Sequence, residues 1–284
     1  MLRAASVRVT RRLARRLSTV ECDAEDADAV QRCVAQFGEQ PFVVRRFARD
    51  WTLVRARDPL ERLRSALGGV NVPIEAGSDY LSADLIDVPG DLYVAALQQL
   101  AAAGDDDGAA PRATAYMAQV SVHALPEAAR QLFAERVPTL APAGIPPPYR
   151  TNVWLGPTGT VTPAHRDPYP NIVVQLLGAK VVRLYTPGDA GMYPFERGAS
   201  LQTNTSRVDV EAAEIDPQFA AFAERRKDDE RVVTLAPGDA LHIPRHWWHH
   251  VRATSVSATV NFWWPAPRQL PDFEPGSAGI RAAD

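Results

Sequence analysis

Residues 152–187 read NVWLGPTGTVTPAHRDPYPNIVVQLLGAKVVRLYTP and carry the pattern that decides the fold. Short runs rich in β-branched and aromatic residues begin here and recur further on, at 151–156, 171–177, 180–187, 231–235, 240–244 and 255–264. Turn residues separate these runs. Gly178-Ala179 is compatible with a hairpin, and Pro237-Gly238-Asp239 predicts a tight turn. Evenly spaced short strands with such turns indicate a sandwich or jelly roll, with residues 188–230 as an excursion between two strands.

The chain before this β-rich part has a more helical pattern. It predicts a helix over 24–38, a strand over 41–46, helices over 60–67 and 92–102, a solvated loop over 104–111 and a proline-rich connector over 140–149. We therefore divide the chain into four parts. These are a basic arm (1–20), an N-terminal part with helices and a strand that packs on the barrel (21–140), a β core (141–270) and a C-terminal tail (271–284).

Composition narrows the classes of function. The 284 residues are 46% hydrophobic and 23% charged, and no stretch has the uninterrupted apolar length of a membrane-spanning helix. The two cysteines, Cys22 and Cys33, form no CxxC pair, so we expect neither a disulfide framework nor a cysteine-based zinc site. Without the first 20 residues, 25 basic side chains stand against 34 acidic ones, a net charge of −9. A body this acidic favours a basic protein or peptide partner over nucleic acid.

The N-terminal arm has the opposite charge. Its arginines, six in number and without an acid among them, include five at helical spacing: Arg8, Arg11, Arg12, Arg15 and Arg16. An amphipathic, arginine-rich start matches a mitochondrial transit peptide. The alternative is a disordered basic tail or a nuclear address, which would place the protein in the cytoplasm or nucleus.

A possible metal site lies in the segment PAHRDP. His165 and Asp167 are two residues apart, so on a strand both side chains point to one face. The segment IPRHWWHHV supplies a third ligand, His249, although His250 beside it would point to the opposite face and the choice between them rests on the resemblance described below. Two imidazoles and one carboxylate on one face of a metal leave positions open, as in non-heme Fe(II) oxygenases. Alternatively, His165 and Asp167 only share a hydrogen bond at a strand end, and the other histidines lie on the surface.

Polar residues also interrupt runs that would otherwise be core strands. Lys180 lies in an apolar run without an acid nearby, which suits a bound carboxylate, or else it snorkels to solvent beside Gly178. In SVSATVNFWW (255–264) an apolar face alternates with one of serine, threonine, asparagine and tryptophan. Such a strand could line a ligand cavity inside a barrel, or it could be a half-exposed edge strand.

With these motifs the chain resembles the JmjC, or cupin-like, 2-oxoglutarate oxygenases, and especially the small JmjC proteins grouped with lysine-specific demethylase eight, now regarded mainly as arginyl hydroxylases. The resemblance covers residues 152–187, NTSRVDV, and LAPGDALHIPRHWWHHVRA with VNFWW, and extends upstream to VPIEAGSDY (72–80) and AYMAQ (115–119). It implies a mainly β double-stranded β-helix with helical additions. Two residues depart from the subgroup, which has serine in place of Thr162 and Asn261.

The resemblance also implies the site residues. Iron would be held by His165, Asp167 and His249. The cosubstrate 2-oxoglutarate would be held by Tyr116, Thr162, Asn171, Lys180 and Asn261. The substrate pocket would be lined by Glu75, Tyr80, Gln119, Trp154 and Trp263. The reaction would use Fe(II), 2-oxoglutarate and O2, with no catalytic residue beyond the metal ligands.

The sequence therefore predicts an Fe(II)- and 2-oxoglutarate-dependent oxygenase that hydroxylates a protein or peptide side chain. A carboxylate, Glu75, among aromatic residues favours arginine as the target. The alternatives in the same class are a histone methyl-lysine demethylase and a tRNA-base hydroxylase. From another class, the alternative is a catalytically inactive cupin that binds a metal and serves as an interaction module.

Overall fold

A computed structural model describes residues 20–23, 38–77, 84–103, 114–137, 148–196 and 203–264. Several expectations fall wholly or mainly outside these ranges, namely those for the arm, the helix over 24–38, the loop over 104–111, most of the connector, Tyr80 and the C-terminal tail. None of the described helices is both long and apolar enough to cross a membrane.

The described strands are β1 (Val20–Asp23), β2 (Phe42–Arg45), β3 (Asn71–Gly77), β4 (Asp84–Pro89), β5 (Thr114–Ser121), β6 (Arg150–Gly156), β7 (Val161–Arg166), β8 (Asn171–Leu177), β9 (Lys180–Tyr185), β10 (Arg231–Leu235), β11 (Ala240–Ile243), β12 (Trp248–Ala253) and β13 (Ser257–Trp263). The described α-helices are α1 (Thr52–Arg55), α2 (Pro59–Ala66), α3 (Gly90–Ala103), α4 (Glu127–Phe133) and α5 (Ala220–Asp229), and short 3-10 turns cover Val122–Ala124 and Pro217–Phe219. The strands and helices predicted within the described ranges are confirmed to within about two residues at each end.

Two sheets build the domain. The larger has the order β1-β2-β11-β8-β13-β6-β5-β3-β4, and the smaller has the order β10-β9-β12-β7. Apart from the parallel pair β1 and β2, the neighbours are antiparallel, as expected for a jelly roll. The sheets share a small apolar core that includes Val43, Leu184 and Trp247.

A second, larger core lies on the other face of the large sheet. Leu63, Leu97 and Phe133 from the helices pack there against Val153 and Val260 from the sheet. The helices cover this face because each presents an apolar stripe that must be buried. The large sheet is thus sealed on its helix side, and the space between the sheets is left for a site.

The turn at Gly178 corrects one prediction. Strands β8 and β9 do not form a hairpin, because β8 belongs to the large sheet and β9 to the small one. Gly178 has φ 66°, and a Cβ there would lie 2.1 Å from the carbonyl oxygen of Val256. The turn therefore requires glycine where the chain crosses from one sheet to the other.

The position of strand β13 corrects a second prediction. It lies in the centre of the large sheet between β8 and β6, and all its residues are buried. The half-exposed edge strand is therefore the wrong interpretation of its alternation. Ala258, Val260 and Phe262 join the helix-side core. Consequently Thr259 and Asn261, which are also buried, face the space between the sheets.

Candidate metal centre and adjoining pocket

Three side chains meet where β7 and β12 pair. His165 and His249 are register partners, so their rings lie on the same side of the sheet with centroids 4.1 Å apart. Asp167 follows β7 directly, and its carboxylate oxygens lie 3.9 Å from His165 Nε2 and 3.6 Å from His249 Nε2. One ligand atom from each residue can be chosen so that all lie within 4.8 Å of one another.

The local hydrogen bonds orient these ligands toward a common point. His165 Nδ1 lies 2.9 Å from the carbonyl oxygen of Pro163, and His249 Nδ1 lies 3.0 Å from that of Trp247. Because a carbonyl oxygen can only accept, each Nδ1 carries a proton, and in a neutral imidazole each Nε2 then has the lone pair that a metal requires. This is how protein structures fix a metal-binding imidazole.

The electrostatics of the centre also fit a cation. Burial raises the pKa of Asp167, and burial together with His165 lowers the pKa of His249 well below its ordinary value. A carboxylate this buried is costly unless a positive charge compensates it. Two neutral imidazoles and one carboxylate are a donor set that suits Fe(II), with coordination positions left for other ligands. The residues present therefore fit the expected metal.

The neighbouring histidines point elsewhere. His250 is buried on the opposite face of β12, where its Nε2 lies 3.6 Å from the carboxylate of Glu211. His246 takes part in the centre through its backbone, since its N–H donates to the carbonyl oxygen of Asp167 at 2.8 Å. Of these histidine side chains, that of His249 faces His165 and Asp167.

Lys180 is buried at the start of β9 and 4% exposed, so the snorkelling alternative is wrong. Its Nζ donates to the hydroxyl of Tyr116 at 3.2 Å. Burial lowers the pKa of Lys180 from 10.5 to about 7. Within the described part of the chain no carboxylate forms an ion pair with it, so the site can still accommodate an anion.

A chain of hydrogen-bonded side chains links Trp154 to the metal centre. Trp154 Nε1 donates to Asn261 Oδ1 at 2.8 Å, and Asn261 Nδ2 donates to Asn171 Oδ1 at 3.0 Å. Asn171 Nδ2 in turn lies 3.4 Å from Asp167 Oδ2. Each amide is thereby held in one orientation, which also holds the Asp167 carboxylate.

Thr162 and Trp263, also expected in the site, are both buried. Thr162 lies on β7, three residues before His165. Trp263 is in register with Asn171, and its indole faces the Asp167 carboxylate.

The residues expected to bind substrate lie on neighbouring strands, with Tyr80 outside the described residues. Glu75 on β3 is the register partner of Tyr116 on β5, so the two side chains share a face. Glu75 is half-buried, and burial raises its pKa from 4.5 to about 7. Gln119 is half-buried at a bulge of β5 with φ 52°, and the ring of Trp154 lies 5.9 Å from that of Tyr116.

Two groups of residues near the centre were not predicted. Tyr149 and Tyr169 continue a row of rings outward from the predicted Trp263, with centroids 5.5 and 5.8 Å apart, so that the row leads from an exposed ring to a buried one. Thr205 forms a β-bridge with His165, and Asn204 exchanges hydrogen bonds with the backbone of Arg166. The motif NTSRVDV was a signal for the second group, whereas the ring row depends on long-range contacts without a local pattern.

The chain is similar to a family of known domains and to several curated proteins. The model of a family described as the cupin-like domain matches residues 29–269. The chain is 34% identical over 223 residues to Lysine-specific demethylase 8 of Danio rerio, covering 72% of this chain and 48% of the relative. It is 30% identical over 227 residues to Jumonji C domain-containing protein 5 of Drosophila melanogaster, which covers 79% of this chain and 54% of the relative. It is 29% identical over 226 residues to Lysine-specific demethylase JMJ30 of Arabidopsis thaliana, which covers 79% of this chain and 49% of the relative. The chain spans about half the length of these curated relatives.

Proposed function

The chain belongs to the family of cupin-like domains, and from its metal centre we propose that the protein is an Fe(II)- and 2-oxoglutarate-dependent oxygenase that acts on a protein or peptide side chain. The observation that carries this proposal is the arrangement of His165, Asp167 and His249, with both Nε2 atoms turned to the Asp167 carboxylate. The relatives of the chain that are named as JmjC proteins and demethylases support the same class of oxygenases.

Iron bound there would supply the oxidation of a substrate C–H bond by O2, with 2-oxoglutarate as the second reductant. The protein's own groups position the partners. Lys180 and the Tyr116 hydroxyl, which are hydrogen-bonded to each other, would hold the distal carboxylate of 2-oxoglutarate. An anion placed there compensates the buried ammonium and raises its pKa again. Asn171 and Asn261 keep Asp167 oriented, and the buried face of β13 excludes water.

For the substrate we propose the side chain of an arginine. Glu75 supports this choice because it is half-buried, has a pKa near 7 and lies in register with Tyr116. A guanidinium keeps its charge at neutral pH and can give two parallel hydrogen bonds to one carboxylate. Holding the guanidinium in this way fixes which carbon faces the metal, and this orientation supplies the selectivity.

The test compares Glu75→Ala with wild type on a panel of arginine-containing basic peptides. We expect incorporation of one oxygen to fall at least tenfold, while 2-oxoglutarate decay without product persists, since the metal centre and Lys180 are untouched. Glu127→Gln on α4, an exposed acid, serves as the matched control and should behave as wild type. Undiminished product with Glu75→Ala would refute the role of Glu75.

A second candidate is methyl-lysine demethylation, favoured by the names of the relatives from Danio rerio and Arabidopsis thaliana. It is the same oxidation directed at an N-methyl group, so the metal centre suits both reactions. Formaldehyde release from methyl-lysine peptides distinguishes it from oxygen retained on an arginine. Turnover of methyl-lysine peptides alone would replace the arginine proposal and leave the oxygenase proposal intact.

A further inference from the structure

Strand β4 forms one edge of the large sheet. It pairs with β3 on its inner side, and no other strand of the described residues pairs with its outer side. Leu85 and Ile86 on this strand are 48% and 44% exposed. An exposed edge with large apolar side chains is ready to accept another strand, and proteins normally cover or charge such edges.

The register of the sheet connects this edge to the pocket. Leu85 on β4 is opposite Glu75 on β3, and Glu75 is opposite Tyr116 on β5. Register partners share a face, so these side chains form one row from the exposed edge to the hydroxyl that meets Lys180. Ile86 pairs instead with Ile74, which is buried in the helix-side core, so Leu85 points to the opposite face, which it shares with Glu75 and Tyr116.

The edge strand itself is negatively charged, since it contains two acidic residues and no Lys, Arg or His. Both acids, Asp84 and Asp87, belong to β4 itself. By its register with Pro73, Asp87 shares a face with Leu85. A partner at this edge should therefore carry positive charge.

We propose that the outer edge of β4 binds an extended, basic segment of the protein substrate as an added strand. This inference rests on the proposed function, because it supplies the path by which the target residue reaches Glu75. An added strand lies about 4.8 Å from β4, so its residue opposite Leu85 is roughly 10 Å from the β3 backbone. An arginine there would extend over Leu85 toward the Glu75 carboxylate, because Leu85 and Glu75 share one face of the sheet. Backbone pairing supplies affinity, and the row of side chains supplies selectivity.

The experiment measures binding without turnover. The probe is a degenerate library of ten-residue peptides with a fixed central arginine, applied to immobilised protein without iron or 2-oxoglutarate. The edge variant Leu85→Lys/Asp87→Lys is compared with Asp91→Lys/Leu92→Lys, which makes the same charge change on α3, where Leu92 is also exposed. We expect retention of the library to fall about tenfold in the edge variant and less than about twofold in the control. Equal losses in the two variants would overturn the proposal, because electrostatics alone would explain them.

Two further readouts keep the test decisive if the edge variant folds poorly. In wild type, peptide binding should protect amide hydrogens of residues 84–89 from exchange, and N-methylation of alternate peptide amides should weaken binding with a period of two. Protection confined to other segments would overturn the proposal. So would self-association of the free protein through β4, because a second copy of the chain would then occupy the edge.

Failure of this inference is distinguishable from failure of the proposed function. If the edge variant turns over arginine peptides with an unchanged KM, the edge proposal is wrong and the oxygenase proposal stands. If wild type binds the library through β4 yet no peptide is oxidised in an iron-dependent way, the edge proposal stands as a binding surface and the proposed function is wrong.

Discussion

Replacing Lys180 by methionine should stabilise the free protein and at the same time abolish its response to 2-oxoglutarate. Lys180 is buried, donates to the Tyr116 hydroxyl and has a pKa lowered by burial from 10.5 to about 7. A buried ammonium without a bound carboxylate to compensate its charge destabilises the folded state. Methionine has a similar length and flexibility and no charge, so it can fill the same space.

The magnitude follows from the pKa. Because the pKa is lower in the folded than in the unfolded chain, folding is penalised in full below pH 7. The penalty declines between pH 7 and pH 10.5 and vanishes above that range. At about 1.36 kcal/mol for each pKa unit, the full penalty is roughly 5 kcal/mol. Loss of the hydrogen bond from Lys180 to the Tyr116 hydroxyl offsets about 1 to 2 kcal/mol of this gain in the variant. We therefore expect a net stabilisation of about 3 kcal/mol at pH 7 and much less at pH 10.

Thermal unfolding with and without 2-oxoglutarate is the assay, with Mn(II) in place of iron to prevent turnover. The unfolding temperature of the free Lys180→Met protein should exceed that of wild type by several degrees. A ligand at about 100 times its Kd should add roughly 2.7 kcal/mol of stability to wild type and almost none to the variant. Lys227→Met, at an exposed lysine of α5, is the control and should respond as wild type. A variant that is less stable than wild type and still responds to 2-oxoglutarate would refute the role of Lys180.

Further predictions concern the metal centre and pH. His249→Ala should lower the affinity for Fe(II) at least a hundredfold. His250→Ala should spare metal binding but destabilise the fold, since His250 faces Glu211. Isothermal titration with Fe(II) under argon measures both affinities, and the reverse pattern would contradict the ligand assignment. The affinity for 2-oxoglutarate should fall as pH rises above about 7, because Lys180 then takes up a proton on binding, and Lys180→Arg should move this fall out of the accessible range. A pH-independent affinity in wild type between pH 7 and 9 would show that Lys180 does not meet the ligand.

The local features of the fold could be predicted from the sequence. The strands of the β core followed from runs such as RVVTL at 231–235, because alternation and turn residues are properties of neighbouring positions. The order of the strands did not follow, because it depends on pairing between distant segments. The wrong hairpin at Gly178 and the edge interpretation of β13 have this common cause: a run of residues does not record which sheet it joins.

The candidate site shows the same division. The face shared by His165 and Asp167 is set by a spacing of two, and the structure brings both to His249. The burial of Lys180 is set by elements far away in the sequence, so local reasoning left open whether the lysine binds a carboxylate or reaches solvent. The pairing of Glu75 with Tyr116 joins strands from separate segments and likewise has no local signal.

The most direct test of the proposed oxygenase is succinate formation from 2-oxoglutarate, followed by NMR after protein reconstituted with Fe(II) under argon is exposed to O2. We predict that succinate forms in proportion to the iron bound by wild type and that His165→Ala reduces it to the background of free iron. Wild-type protein that binds iron through His165, Asp167 and His249 but forms no succinate, with or without basic peptides, would contradict the oxygenase proposal and indicate a metal-binding interaction module instead.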